Sequence, residues 1–250
     1  MTTIPIIGTP LAVTTYAELQ TKIVSLAEAR SRIIIDFTNT QIAVARRHEP
    51  MFREITSDVD WFIPDGMPLI WAMNARGAGL KDRVYGPSFM RHSLSARHPT
   101  IRHFFLGGSN TCLDHLIAHA RRLNPDISIV GTHNGYFPES ESPRIIEIIR
   151  ASNADFIWVG LGTPKQQEWL HRHRGAFDSG VFLAVGFAFD VNAGTKSDAP
   201  DWMQRYGLTW LFRFLSEPVR LGPRYLKYNP LFCWYLLREE IRRRSYICRK

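Results

Sequence analysis

Residues 154–169 constrain the fold more tightly than any other stretch. The apolar run Phe156-Ile157-Trp158-Val159 stops at Gly160-Leu161-Gly162, and Thr163-Pro164 then opens the helix-favouring segment Lys165-Gln166-Gln167-Glu168-Trp169. A short apolar run closed by glycines and followed by a proline reads as a buried parallel strand turning into a helix. Glycine there lets a ligand approach the backbone, and a helix N-terminus favours an anion, most often a phosphate. Taken alone, such a turn serves equally well as a plain strand–helix connection. Other strand ends in this chain carry similarly placed polar residues.

The same alternation recurs along the sequence. Strands are predicted near Ile4–Ile7, Arg32–Phe37, Trp61–Ile63, Ile101–Leu106, Ile127–Gly131, Phe156–Val159 and Val181–Val185. Between them, helices are predicted over Tyr16–Arg30, Gln41–Ile55 with a break at Pro50, Met67–Arg76, Thr111–Leu123, Pro143–Ala151 and Pro164–Arg174. Ser109 is a natural cap for the Thr111 helix. Repeated β-then-α units imply an α/β fold: a Rossmann-like, mostly parallel sheet with helices on both faces. Ligands of such sheets bind beyond the carboxyl ends of the strands. No internal repeat or low-complexity linker interrupts the pattern.

With 250 residues, 45% of them hydrophobic, the chain is long enough for one large core, here assigned to residues 1–200. No apolar run approaches the roughly 20 residues of a spanning helix, and the N-terminus lacks a basic-then-apolar signal pattern. The expectation is a cytoplasmic protein. The three cysteines, Cys112, Cys233 and Cys248, have neither metal-like nor disulfide-like spacing, which fits a reducing compartment.

The net charge of +8 is unevenly placed. Residues 201–250 hold eleven Lys/Arg against four Asp/Glu, while the rest of the chain is nearly balanced. In this last fifth, Trp210, Phe212, Phe214, Tyr225, Tyr228, Phe232, Trp234 and Tyr235 are interleaved with arginines. A helix is predicted over Gly207–Glu217, then a stretch broken by Pro218, Pro223 and Pro230, then a last helix over Leu231–Ser245. Residues 201–250 therefore read as a basic, aromatic-rich appendage that lies on anionic lipid headgroups. The plainer alternative is a segment packed on its own domain with a solvated charged face. Its exposed apolar surface also offers a face for self-association into a homo-oligomer when no membrane is present.

In a parallel sheet the residues after each strand converge on one rim. Here they are Asp36, Thr38 and Asn39; Asp65; Gly107, Gly108 and Ser109; Thr132, His133, Asn134 and Tyr136; Gly162, Thr163, Lys165, Gln166 and Gln167; and Asp190 and Asn192. A rim of hydroxyls, amides, glycines and a few carboxylates suits a sugar nucleotide, whose hydroxyls and diphosphate need directed polar contacts. A partly desolvated Asp65 could act there as a general base.

Several motifs stand in order along almost the whole chain, roughly Ile6 to Tyr228. They are Pro64-Asp65-Gly66, Arg83-Val84-Tyr85-Gly86-Pro87, Phe105-Leu106-Gly107-Gly108, Gly135-Tyr136-Phe137 and Gly160-Leu161-Gly162-Thr163-Pro164-Lys165-Gln166. Trp210-Leu211-Phe212-Arg213, Glu217-Pro218-Val219-Arg220 and Arg224-Tyr225 complete the series. In these motifs the sequence resembles the WecG/TagA/CpsF glycosyltransferases. The resemblance implies an inverting, metal-independent, cofactor-free enzyme at the cytoplasmic membrane face. Such an enzyme moves a sugar from a UDP-sugar to a polyprenyl-diphosphate-linked saccharide during synthesis of cell-envelope polymers, such as teichoic acid, enterobacterial common antigen or exopolysaccharide.

The resemblance also implies roles. Asp65 is the base, and Arg83 assists at the site. Thr38, Asn39, Lys165, Gln166 and Gln167 bind substrate, with Gly107, Gly108, Asn134, Tyr136, Gly162 and Asp190 of the rim beside them. Arg213, Arg220 and Arg224 meet the lipid diphosphate and the membrane. The sequence departs from the family pattern at Asp198-Ala199-Pro200, where many members have Arg-Ala-Pro, and at Thr209, where a glutamate usually precedes the tryptophan. The donor sugar, of the N-acetylmannosamine, uronic acid or glucose type, stays open.

Weaker signals point elsewhere. Asp58-Val59-Asp60 matches the Asp-x-Asp signature of metal-dependent transferases, but it precedes an apolar run instead of following one. His115 and His119 have a zinc-like spacing without an acidic partner. Gly160-Leu161-Gly162 lacks the third glycine of a dinucleotide fingerprint. A non-enzymatic nucleotide-binding or nucleic-acid-binding protein using the basic tail is the alternative class. No recognised nucleic-acid motif is present, so the reading carries no nucleic-acid partner.

Overall fold

Eight strands form one sheet in the order β1-β2-β4-β3-β8-β7-β5-β6 among the residues described, 1–98 and 100–247, in this computed structural model. The first half of the chain contributes β1 (Thr3–Ile6), β2 (Thr9–Ala12), α1 (Tyr16–Glu28), β3 (Arg32–Thr38), α2 (Thr40–His48), α3 (Pro50–Ile55), β4 (Trp61–Pro64), α4 (Met67–Asn74) and α5 (Gly86–Ser95). Next come β5 (Arg102–Gly107), α6 (Asn110–Leu123), β6 (Ser128–His133), α7 (Ser142–Ser152), β7 (Phe156–Gly160), α8 (Lys165–His173), β8 (Gly180–Ala184) and α9 (Ala188–Ala193). Three helices follow: α10 (Asp201–Arg205), α11 (Thr209–Ser216) and α12 (Pro218–Ile247). The pairings of β2, β4, β3, β8, β7, β5 and β6 are all parallel, and only β1 runs antiparallel to its neighbour. Cys248 lies outside the described residues.

Residue alternation along β3 shows how the sheet is covered. Ile33, Ile35 and Phe37 point into a core shared with α1, α5 and α6, while Ile34 faces the opposite layer under α7 and α8. Both faces are apolar, as expected of a parallel sheet sandwiched between helices. Thr15 caps α1 in a reciprocal box with Glu18, Asn39 caps α2, and Ser109 caps α6 as its sequence position implies.

Four elements escape the sequence pattern. The β1–β2 hairpin turns on Ile7 and Gly8, both at positive φ, and a β-branched residue in that region gives no turn signal. The others, α5, α9 and α10, are short and lie where glycine, proline and mixed polarity hide the helical period. A larger difference concerns the C-terminal segment, where the prolines do not break the chain as expected: α12 runs unbroken through Pro223 and Pro230. Each proline forfeits one bond to the carbonyl four residues earlier. Those carbonyls belong to Val219 and Leu226, which are 91% and 78% exposed, so solvent can satisfy them.

Specific contacts hold α12 to the body. Phe232 enters the cluster made by Ile6, Leu11, Phe62 and Ile70. Arg76, at the end of α4, donates to Glu240 at 3.0 Å, to Glu239 at 3.2 Å and to the Pro5 carbonyl, while Glu239 also accepts the Ile7 N–H at 2.8 Å. Glu49 takes both Lys227 and the Tyr228 hydroxyl at 2.7 Å. Replacing Arg76 by Ala should therefore loosen both chain ends. We expect a loss of about 2 kcal/mol, the range for hydrogen bonds to charged partners, read as a lower Tm and faster amide exchange in β1 and α12.

Candidate active site

A cleft of about 320 Å³ opens where the strands end. Its walls come from separate crossovers: Asn39 after β3, Asp65 after β4, Gly108 and Ser109 after β5, Gly162, Thr163 and Gln166 after β7, and Gly186, Phe187 and Asp190 after β8. Asp65 and the Gly162 turn thus face one space. Close backbone packing makes this possible. Gly107 sits at φ +145°, and a Cβ there would lie 2.5 Å from the Gly160 carbonyl, so the ends of β5 and β7 approach only because the side chain is absent.

Asp65 is half-buried at the cleft. Its Oδ1 accepts the Gly86 N–H at 2.6 Å. Burial pushes its carboxyl above the usual carboxylate range, and the Arg83 guanidinium and the Gly86 N–H pull it partly back. Such a carboxylate is a stronger proton acceptor than an exposed one.

Arg83 is buried behind Asp65. It donates to the Asp65 carbonyl at 3.2 Å, to Thr209 Oγ1 at 3.1 Å and to Gln204 Oε1 at 3.3 Å, and its guanidinium lies 4.0 Å from the Tyr85 ring centre. All of these partners are neutral, so the charge is left to act on Asp65 or on a bound anion.

Cations late in the chain, Lys196, Arg213, Arg220 and Arg224, also line the cleft. Lys196 and Arg220 share Glu217, whose carboxyl they hold down to about 2. Arg213 lies 3.9 Å from the Phe187 ring centre. Arg224 is lowered to about 10 by burial and by its neighbour Arg213, and its buried Nε has no hydrogen-bond partner. Among the described residues neither Arg213 nor Arg224 pairs with a carboxylate, and guanidinium groups so placed suit an anion.

The cleft continues into an apolar groove of about 580 Å³. Met67, Trp71, Trp210, Tyr225, Phe232 and Leu236 line the groove, with Arg83 at its inner side. Asn39, Asp65, Tyr85, Arg213 and Arg224 line both spaces. Trp71 and Trp210 are also exposed to solvent, as are Trp202, Tyr206, Leu215 and Trp234.

A model of the Glycosyl transferase WecG/TagA/CpsF family matches residues 4–246. The chain is also 29% identical over 183 residues to a Bacillus spizizenii protein named N-acetylglucosaminyldiphosphoundecaprenol N-acetyl-beta-D-mannosaminyltransferase, spanning 73% of this chain and 70% of that one. A Staphylococcus aureus protein of the same name is 26% identical over 216 residues, 85% of this chain and 83% of that one. This chain belongs to the WecG/TagA/CpsF glycosyltransferase family.

The site residues expected from the sequence divide into two groups in space. Asn39, Asp65, Gly108, Tyr136, Gly162, Gln166, Asp190, Arg213, Arg220 and Arg224 line the cleft. Beneath or beside it, Thr38 donates to Asp36 at 2.6 Å, Gln167 donates to Asp36 at 2.8 Å, and Asn134 Oδ1 accepts the Tyr136 N–H at 3.0 Å. Lys165 is a strut: its ammonium donates to the Gly135 carbonyl at 2.9 Å and the Phe137 carbonyl at 3.3 Å, over the Phe137 ring. At the α8 start, the Gln166 and Gln167 amides already donate to the Gly162 and Pro164 carbonyls. Those two amides are therefore not free to meet a ligand.

The two departures from the family pattern share one network. Asp198 accepts the Tyr85 hydroxyl at 2.8 Å, and Gln204 bridges Asp198 to Arg83, which also holds Thr209. Sequence reading missed Tyr85 and Phe187 as lining residues, although Tyr85 stands inside a recognised motif.

The Asp-x-Asp triplet sits at the opposite end of β4. Asp60 caps the Ile34 N–H at 2.8 Å and pairs with Arg174, while Asp58 holds His171 at 2.7 Å. Among the described residues no group of three His, Cys, Asp or Glu side chains gathers as a metal site.

Lys165→Ala should lower the Tm by leaving two carbonyls short of a donor. Arg213→Ala should instead leave the Tm near wild type and weaken binding of inorganic diphosphate about tenfold, as loss of one charged hydrogen-bonding partner predicts. Thermal melts and calorimetric titration distinguish the two.

Proposed function

We propose that this chain is an inverting, metal-independent transferase that moves a hexose or N-acetylhexosamine from a UDP-sugar to a saccharide carried on polyprenyl diphosphate, in bacterial surface polysaccharide synthesis. The donor sugar is of the N-acetylmannosamine or glucose type, and no cofactor takes part. The Bacillus and Staphylococcus relatives are named for transfer of N-acetylmannosamine to N-acetylglucosaminyl-diphosphoundecaprenol, which supports the same acceptor class here. One structural observation carries the reading. Asp65 stands at the junction of a polar cleft and an apolar groove, with two unpaired arginines at the same junction. A lipid-linked sugar needs that combination: apolar contact for the chain, cations for the diphosphate, and a base at the sugar hydroxyl.

The chemistry follows from these positions. The nucleotide diphosphate lies in the polar cleft, and the acceptor sugar enters from the groove side. Asp65 takes the proton from the acceptor hydroxyl as its oxygen bonds to the donor C1. The bond from C1 to the diphosphate breaks on the opposite face, inverting the centre and releasing UDP. Arg83, Arg213 and Arg224 offset the charge that develops on the leaving diphosphate, the task a divalent cation performs in metal-dependent transferases. Asp65 then returns its proton to water.

No helix among the described residues is long and apolar enough to cross a membrane. The exposed aromatic and aliphatic side chains along α10, α11 and α12, with the surrounding arginines, support peripheral binding at the inner face of the cell membrane. When no membrane is present, the same face could pair with a second copy.

Asp65→Asn should lower kcat by roughly a hundred- to ten-thousand-fold while UDP affinity stays close to wild type. Ionised Asp65 is the active form and its carboxyl is raised. Wild-type kcat should therefore fall as the pH drops through a midpoint above the ordinary value of about 4. A screen of UDP-sugars against a synthetic polyprenyl-diphosphate acceptor, read by mass spectrometry with and without chelator, tests donor class and metal independence together. No product with any UDP-sugar, or strict dependence on manganese or magnesium, would overturn the corresponding part.

A further inference from the structure

Asp36 is a carboxylate in an apolar layer. It follows Ile34 on the face of β3 that packs under α8, and no part of it reaches solvent. Its Oδ1 accepts the Thr38 hydroxyl at 2.6 Å and its Oδ2 accepts the Gln167 amide at 2.8 Å. The same Gln167 nitrogen lies 3.4 Å from Thr163 Oγ1, and the other end of that amide, Oε1, has no partner. Burial pushes the Asp36 carboxyl up to about 6, with Thr38, Gln167 and Arg46 drawing it down and Asp65 adding to the rise. An ionised group in that position costs folding stability, so its presence calls for a reason other than stability.

The geometry offers one. Thr38 is bonded directly to Asn39, and Gln167 to Gln166. Asn39, Thr163 and Gln166 line the cleft, and of these Thr163 and Gln166 line the cleft alone and not the apolar groove. We infer that Asp36 is a positioning residue for the sugar-nucleotide donor, its buried carboxylate tying the β3–α2 wall of the cleft to the β7–α8 turn. Two walls carried by strands that are not neighbours are then held in register by a single group with two acceptor oxygens. Asp36→Val removes both acceptor oxygens, so the Thr38 hydroxyl and the Gln167 amide lose the group they share. Asp36→Asn keeps the tie without the charge, because the Gln167 amide can turn so that its Oε1 accepts both the new amide and the Thr163 hydroxyl. Held polar groups of this kind set the precision with which a site meets its ligand.

The inference rests on the donor reading above, and the test separates the two. Calorimetric titration of the wild-type protein with UDP-glucose and UDP-N-acetylhexosamines comes first, and absence of binding to all of them counts against the donor reading. Given binding, Asp36→Val should raise the donor KM about tenfold, with kcat within about threefold and the acceptor KM unchanged.

The sign for stability runs the other way. The folded carboxyl binds its proton more tightly than the unfolded one, so stability falls as the pH rises from about 4 through about 6. Asp36→Asn, which removes the charge and keeps the tie, should therefore leave the Tm at pH 7.5 no lower than wild type and the donor KM within about threefold of it. An unchanged donor KM in D36V would overturn the inference, as would equal losses against donor and acceptor in that variant, or a D36N variant no better than D36V.

Discussion

The parallel ladder between β3 and β8 is the joint on which this molecule depends. Arg32 faces Gly180 and Asp36 faces Ala184 across it. On one side lie β1, β2 and β4 from the start of the chain, and on the other β7, β5 and β6 from its middle. Asp65 belongs to the first half, and the Gly162 turn and Asp190 to the second. The cleft is therefore a product of one strand pairing between segments distant in sequence. It has the late-forming character of contacts whose loop-closure entropy must be met before they give any return.

Around that joint the site separates two kinds of chemistry by a few side chains. Polar backbone turns and amides fill the cleft, and aromatic and aliphatic side chains fill the groove. Asp65, Tyr85, Arg213 and Arg224 form the border. The border is electrically uneven. Lys196 and Arg220 are already satisfied by Glu217, whereas Arg213, Arg224 and Arg83 have no carboxylate bonded to them among the described residues. Keeping cations unpaired in a partly buried place is costly. Under the proposed function a bound diphosphate would offset that cost and complete the electrostatics of the fold.

Much of this was legible in the sequence, for identifiable reasons. Parallel strands buried on both faces leave continuous apolar runs, and glycines at their ends mark where backbones converge, so Phe156–Gly160 and Arg102–Gly107 stand out. Asp65 was visible because it follows a strand end within a recognised motif. The hairpin turn at Ile7 was not visible, because its residue type contradicts its conformation. The continuity of α12 was hidden as well: helix propensity forbids Pro223 and Pro230, and only tertiary contacts such as Phe232 and Glu239 show why the helix persists. Position after a strand also failed to distinguish lining from support. Lys165 and Gln167 read as ligands because of where they stand, yet their donors are already given to Gly135 and Asp36.

Arg76 clasps the hairpin at one end of the sequence and the long helix at the other, and that has a consequence for how the enzyme wears out. A nick or a heat-loosened turn after β1 removes the Ile7 N–H, one of the two partners that hold Glu239, and Arg224 stands on the same helix. Damage far from the sugar chemistry thus disarms it before the sheet itself opens, and ageing preparations should lose turnover while still looking folded.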